Sequence, residues 1–539
     1  MHRREFLQCS VLISVACTGV TAGGCSIGTP RRTAAPRVKA FELEEMTVAE
    51  MQRGMGSGRF TAAGLVEMYQ RRIREIDREG PRLRSVIEMN PDALAIAAEL
   101  DRERKAKGPR GPLHGIPIII KDNIDTHDRM TTTAGSLALT GSIAPRDAFL
   151  VERLRAAGVV LLGKANLSEW ANFRGSRSIS GWSGRGGLSR NPYFTDRSTS
   201  GSSAGSAAAV SANLCAIAVG TETDGSIVSP SSHCGVVGLK PTVGLVSRSG
   251  IIPISSSQDT AGPMARCVAD AAALLNAMTG VDPRDTATAA SAGKAPRDYT
   301  QLLDVKALRG ARLGVARSSF KISRLVDPVL ESALTAIQRQ GAVLIDPVKL
   351  PSRQDPGDAE FQTMLYEFKA GLNDYFKSLG PNAPVKSLEE LIEFNERNRE
   401  RELTFFGQET LINAQSKGPL TDQHYLDARE KCVKWSKELE ALLESDRLDA
   451  VVAPTTGPAH ALDMVVGDRG LGGGTSTYAA VSGLPSITVP CGDVSGLPIG
   501  LLFIGARWRE ARLLALAYAF EQATKARKPP RFLPTLELP

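Results

Sequence analysis

Cysteine and histidine are too few and too scattered in this chain to build a metal centre or a disulfide framework. Of eight cysteines in 539 residues, Cys9, Cys17 and Cys25 fall in the first 25 positions. The other five, Cys215, Cys234, Cys267, Cys432 and Cys491, form no CxxC pair, so buried free thiols are expected. His114, His127, His233, His424 and His460 are isolated, without HExxH spacing, and His233 beside Cys234 is poor geometry for one ion. No metal and no cofactor are expected. Charge of one sign is also lacking. The formal charge is +7, but residues 1–40 hold six basic residues against one acidic, which leaves about +2 for the rest and no case for nucleic acid as a partner. No repeat of fixed period is visible.

The N-terminus MHRREFLQCSVLISVACTGVTAGGC puts charge first, then an apolar stretch from Leu12 to Val20, then small residues. That is the layout of an export signal, with Arg3-Arg4 in the twin-arginine manner, and its apolar stretch is too short to span a bilayer. Ala22-Gly23-Gly24-Cys25 resembles a lipoprotein box, although Ala22 stands where leucine is usual. Two outcomes stay open: a lipid anchor on Cys25, or soluble export to the periplasm or cell envelope. Residues 26–40, rich in Pro, Ala and basic side chains, read as a tether.

The length admits one large α/β domain or several smaller ones. From residue 41 helical and strand patterns alternate. Leu65, Val66, Tyr69, Ile73 and Ile76 share a helical stripe, and Asp92 to Lys107 continues as a second helix. Ile116–Ile120 reads as a buried strand, and AFLVERLRAAGVVLLGKANL as helix, glycine stop and strand. The same pattern returns in PVLESALTAIQRQGAVLI, with later strands at Ala450–Pro454, Ser486–Pro490 and Ile499–Ile504. The expected fold is α/β, one large mixed twisted sheet flanked by helices on both faces. Residues 355–445 are helical and charged. They read as an insertion whose charges are solvated helix surface, or as a roof over an active site.

Two Ser/Gly loops, STSGSSAGSAAAV at 198–210 and GTETDGSIVSP at 220–230, follow GIPIIIKDN at 115–123. Gly201 to Gly205 fits G-x-S-x-G with Ser203 at its centre. The nucleophile elbow that this pentapeptide marks needs a buried strand before it, whereas SRNPYFTDRSTS is a polar loop. Lys121 ends an apolar strand, where α/β folds gather reacting groups. A lysine buried there loses hydration, and its neutral amine can serve as a base. Most lysines that end strands are simply solvated, so Lys121 needs its companions. Thr223, Asp224, Gly225 and Ser226 form a compact turn after the expected strand Ala216–Val219. Its backbone N–H groups can converge on one point as an oxyanion hole, worth ~3 kcal/mol per donor. Taken alone, DGS is an ordinary turn.

In this order the motifs resemble those of the amidase signature family. Lys121 in GIPIIIKDN, Ser202 in GSSAGS, Ser226 in TDGSI and CGVVGLKPT at 234–242 match its pattern. The likeness extends through VGLVSRSGIIPIS, SQDTAGPMARCVADAA and GLPSITVP over most of residues 45–525. The resemblance implies a Ser-cisSer-Lys hydrolase: Ser226 the nucleophile, Ser202 the proton relay after a cis peptide bond, Lys121 the base, and Ser203 a supporting hydrogen bonder. GTETDGSIV, LSEWANFRG, SISGWSGRGG and LYEFKAGL are similar to segments of the peptide amidase branch, which implies release of ammonia from C-terminal peptide amides. Asp224 stands where the family commonly has glycine. Its carboxylate is expected to disfavour substrates that end in a free acid. Broader aliphatic or aryl amide specificity is the alternative. The amidase-type subunit of a glutamyl-tRNA amidotransferase is a further one, although Val228 replaces the arginine typical there, and a non-catalytic binding protein on the same fold is the last.

Overall fold

The computed structural model describes residues 38–352 and 356–536. The expected export signal, Cys25 and the tether up to residue 37 lie outside the described residues.

Eleven strands form one sheet. In chain order its strands are β1 (Val86–Met89), β2 (Pro117–Lys121), β3 (Val160–Ala165), β6 (Ile217–Glu222), β7 (Val237–Lys240), β8 (Thr260–Ala265), β9 (Arg312–Val315), β10 (Val343–Ile345), β11 (Ala450–Pro454), β12 (Ser486–Val494) and β13 (Leu497–Ile504). A two-residue pair, β4 (Trp182–Ser183) and β5 (Gly187–Leu188), stands apart. Across the large sheet the order is β1-β3-β2-β6-β8-β7-β12-β13-β11-β9-β10. β2 runs parallel to both β3 and β6, while β8, β7, β12 and β13 pair antiparallel, so the sheet is mixed as expected.

The central strands β2 and β6 are apolar up to their C-terminal ends because helices cover them. Ile118, Ile119, Ile120, Ile217, Ala218 and Val219 are fully buried, which an alternating half-exposed strand would not be. The helix Ala62–Arg72 starts at Thr61, whose hydroxyl accepts the Gly64 N–H, and its stripe Leu65, Val66 and Tyr69 enters the core. Helix Phe149–Ala156 stops at Gly158, whose φ of +79° suits glycine, and β3 begins two residues later.

Residues 356–445 are mainly helical. Gly357–Ser378 and Gln423–Ser445 are long helices packed on one another, with Leu388–Arg397 and Glu409–Gln415 beside the first. The first long helix lies against the sheet's loops through Phe368 on Phe173, Phe376 on Trp170 and the Tyr375 hydroxyl on Asp125. Cys215, Cys234, Cys432 and Cys491 are buried free thiols, and Cys267 is half-buried.

Candidate active site

β2 and β6 are parallel neighbours, with Ile118 opposite Ile217 and Ile120 opposite Val219, so both deliver their C-terminal residues to one edge of the sheet. β2 ends in Lys121. β6 ends in Glu222 and runs straight into the 223–226 turn. A third segment arrives from the loop at 198–203, which opens the wholly buried helix Ala204–Ser211. That helix is alanine-rich, so it lies close on the sheet, and Ser206 Oγ donates to the Val219 carbonyl over 3.0 Å.

These three segments bring Lys121 and Ser202 into contact. Lys121 Nζ donates to Ser202 Oγ over 2.7 Å and to Thr221 Oγ1 over 2.8 Å. Asn123 Nδ2 donates to the same threonine oxygen over 3.0 Å, which fixes the threonine beside the amine. Lys121 and Ser202 are fully buried, and Ser226 nearly so. Burial pushes the Lys121 amine down to about 7, while the carboxyls of Asp259 and Glu222 pull it back up. The Gly201–Ser202 peptide bond is cis.

Ser203 is fully buried and held by the end of β6. Its Oγ donates to the Thr221 carbonyl over 3.0 Å and accepts the Thr221 N–H over 3.2 Å, while its own N–H donates to the Ser226 carbonyl over 3.1 Å. One serine therefore joins the 198–203 loop, the end of β6 and the 223–226 turn. Glu222 shapes that turn from the other side, where its Oε2 accepts the N–H groups of Ile227 at 2.7 Å and Val228 at 3.0 Å. Gly225 takes a φ of +78°, the left-handed conformation that lets the chain reverse there. Among the described residues, none of the backbone N–H groups of Thr223, Asp224, Gly225 and Ser226 donates to a protein acceptor. Asp224 is half-buried. Its Oδ2 accepts the Thr477 hydroxyl over 2.8 Å, and its Oδ1 has no partner among the described residues.

Several residues of the site had no signal in the motif reading. Asn123 and Thr221 are neighbours of expected residues, and their side chains only declare themselves once β2 and β6 are paired. Asp259 and Gln258 sit in the SQDTAGP segment, and both reach the 223–226 turn. The helix Gly357–Ser378 closes over this side, with Glu360 on Gln258 and Glu367 on Ser255 and Ser257. Glu169, Arg174 and Glu402 form a fully buried cluster that ties the helical region to the loop after β3. His233 and His460, isolated in sequence, stack edge to face with ring centroids 6.0 Å apart, and Asp468 lies 3.3 Å from His460 Nε2.

The pattern of the amidase family matches residues 64–514. The native peptide amidase of Stenotrophomonas maltophilia superposes with a TM-score of 0.87 at 52% identity, covering 92% of this chain and all of that one. A protein of Arabidopsis thaliana described as a probable amidase is 42% identical over 503 residues, 92% of this chain and 93% of its own length. A glutamyl-tRNA(Gln) amidotransferase subunit of Acinetobacter baylyi is 35% identical over 495 residues, 90% of this chain and 97% of its own. With its motifs, its sheet and its full-length likeness in agreement, this chain is an amide-hydrolysing enzyme that belongs to the amidase family.

Proposed function

We propose that this enzyme hydrolyses the terminal carboxamide of peptides through an acyl-enzyme on Ser226, with Ser202 relaying the proton to Lys121. The observation that carries the reading is the buried 2.7 Å contact between Lys121 and Ser202, with the amine held down to about 7 by its dry surroundings. In the reactive form the amine is neutral and the hydrogen bond reverses, so that Ser202 O–H donates to Nζ. Ser202 then accepts the proton of Ser226 Oγ as that oxygen attacks the amide carbon.

The carbonyl oxygen becomes an oxyanion, and the N–H groups of residues 223–226, which no protein acceptor occupies among the described residues, are the donors for it. Collapse expels the nitrogen, protonated back through Ser202, as ammonia. Water takes the place of ammonia and hydrolyses the ester by the same relay in reverse. Peptide selection follows from Asp224. Its half-buried carboxylate in the 223–226 turn repels the carboxylate of a peptide acid, whereas a neutral terminal carboxamide meets no such repulsion. The helix Gly357–Ser378 braces the segment behind the turn through Glu360 on Gln258 and Glu367 on Ser255 and Ser257.

The test is ammonia release across dipeptide amides, free amino-acid amides and aryl amides, with Ser226→Ala as the control. Turnover of dipeptide amides that vanishes in S226A supports the reading. Turnover confined to aliphatic or aryl amides overturns the peptide assignment and leaves the mechanism standing.

A further inference from the structure

Asp259 is buried just before β8 and divides its two oxygens between two segments. Oδ2 accepts the N–H groups of Ile254 at 2.8 Å and Ser255 at 2.9 Å, and Oδ1 accepts the Thr223 hydroxyl at 2.6 Å. The preceding residue repeats the grip: Gln258 Nε2 donates to the Thr223 carbonyl over 3.4 Å and to Glu360 of the covering helix over 2.9 Å. Thr223 is the first residue of the turn that ends in Ser226, so two consecutive side chains hold that turn by its hydroxyl and its carbonyl. Asp259, Thr223, Thr221 and Asn123 also bound one small cavity beside the Lys121 contacts.

We propose that Asp259 is a positioning residue for the acyl transfer, anchoring the 223–226 turn through Thr223 while presenting its negative charge to the Lys121 amine. The inference rests on the assignment of Lys121 as base. The charged and titratable groups around Asp259 are Lys121 at the end of β2, Glu222 at the end of β6 and Asp224 in the turn. Arg248 lies on the loop before it with Asp285 beyond, and Glu360 and Glu367 lie on the covering helix. Burial pushes the Asp259 carboxyl up to about 6, against its hydrogen bonds and Arg248. Lys121 is held near 7, and Asp259 is the larger of the two charges that pull it up. The two groups therefore titrate next to each other. As Asp259 ionises, Lys121 keeps its proton more firmly, and the pair sets the acid side of the activity profile together.

The experiment is kcat/KM against pH on a dipeptide amide for wild type, Asp259→Asn and Thr223→Val. D259N removes the charge and leaves an amide that can still bond Thr223, so the acid limb moves down by about one pH unit. T223V loses the anchor together with the hydrogen bond that does most to hold the Asp259 carboxyl down, so kcat falls about tenfold or more while the limb moves down by less than in D259N. The position of a limb does not depend on how much enzyme is folded. Should D259N yield no active protein, Arg248→Met makes Asp259 harder to ionise and moves the limb the same way by less. A limb that stays at its wild-type pH in D259N, or in R248M when D259N is inactive, overturns the proposal. A wild-type profile with no limb near 7 overturns instead the assignment of Lys121 as base.

Discussion

Replacing Arg174 with methionine should unlatch the helical region. The guanidinium is fully buried; its Nη1 donates to Glu169 Oε1 over 2.7 Å and also to the Glu402 carbonyl, and Nη2 donates to the Phe406 carbonyl over 3.1 Å. It also lies 3.9 Å from the centre of the Phe406 ring. Methionine fills much of the volume and supplies none of the donors. What remains is two buried carboxyls, Glu169 with the Gly184 N–H on it and Glu402 with the Leu137 N–H. Burial already drives the Glu169 carboxyl well above the ordinary carboxylate range, Arg174 being the force that opposes this and Glu402 one that adds to it. Three bonds to a charged group sum to about 4.5–9 kcal/mol if added singly. Glu169 escapes part of this by taking up a proton, so a loss of about 4 kcal/mol is expected, the scale for breaking a buried ion pair.

Because two of the lost bonds end on backbone carbonyls at 402 and 406, the opening should be local. Amide hydrogen exchange over residues 399–415 is the assay, and about 4 kcal/mol corresponds to exchange roughly 10³-fold faster there than in the wild type. The pH dependence has a definite sign. An acid whose folded pKa is raised binds more protons folded than unfolded, so R174M should lose stability as pH rises above the ordinary glutamate value of about 4.3. Adding Glu169→Gln removes one charge and should restore part of the protection. Wild-type exchange over 399–415 in R174M, or protection that improves as pH rises, would refute the reasoning.

With Lys121 as the proposed base, kcat/KM in the wild type should rise with pH to a midpoint near 7, where burial holds its amine. Lys121→Met should lower kcat by about 10²–10⁴, read at the pH optimum, with KM for a dipeptide amide little changed. Asp224→Asn should let the peptide acid product bind about tenfold more tightly, measured as product inhibition, since one repulsion is removed. Ser203→Ala loses the contacts to Thr221 and should cost about 1–3 kcal/mol in guanidinium unfolding. Replacing Arg3 and Arg4 together by lysine should keep active enzyme in the cytoplasm, as cell fractionation would report, if the leader is a twin-arginine signal.

The parts of the fold that were legible were those with a strong local period. Ile116–Ile120 and the two helix-glycine-strand passages appear in the structure within three residues at each end, because a continuous apolar run bounded by glycine has few other uses. β8 was not legible. Its sequence TAGPMA carries a glycine and a proline, which strand interiors disfavour, yet it lies between β6 and β7, with Pro263 opposite Val219. Tertiary burial overrides the local preference there. The site divides in the same way. Lys121, Ser202 and the 223–226 turn announce themselves through loop chemistry, and the structure brings Lys121 onto Ser202. Glu402 has no such signal, since its partner Arg174 is 228 residues away in the chain and only the packed fold joins them.

The three residues assigned to the chemistry fall between positions 121 and 226, whereas the helices that cover them come from beyond position 356. Side-chain bonds stitch the two together: Glu360 to Gln258, Glu367 to Ser255 and Ser257, Tyr375 to Asp125, and Arg174 to the chain at 402–406. The residues assigned to the chemistry and the helices packed beside them thus lie on separate stretches of polypeptide. A different set of helices in that place would have to keep those stitches or replace them together.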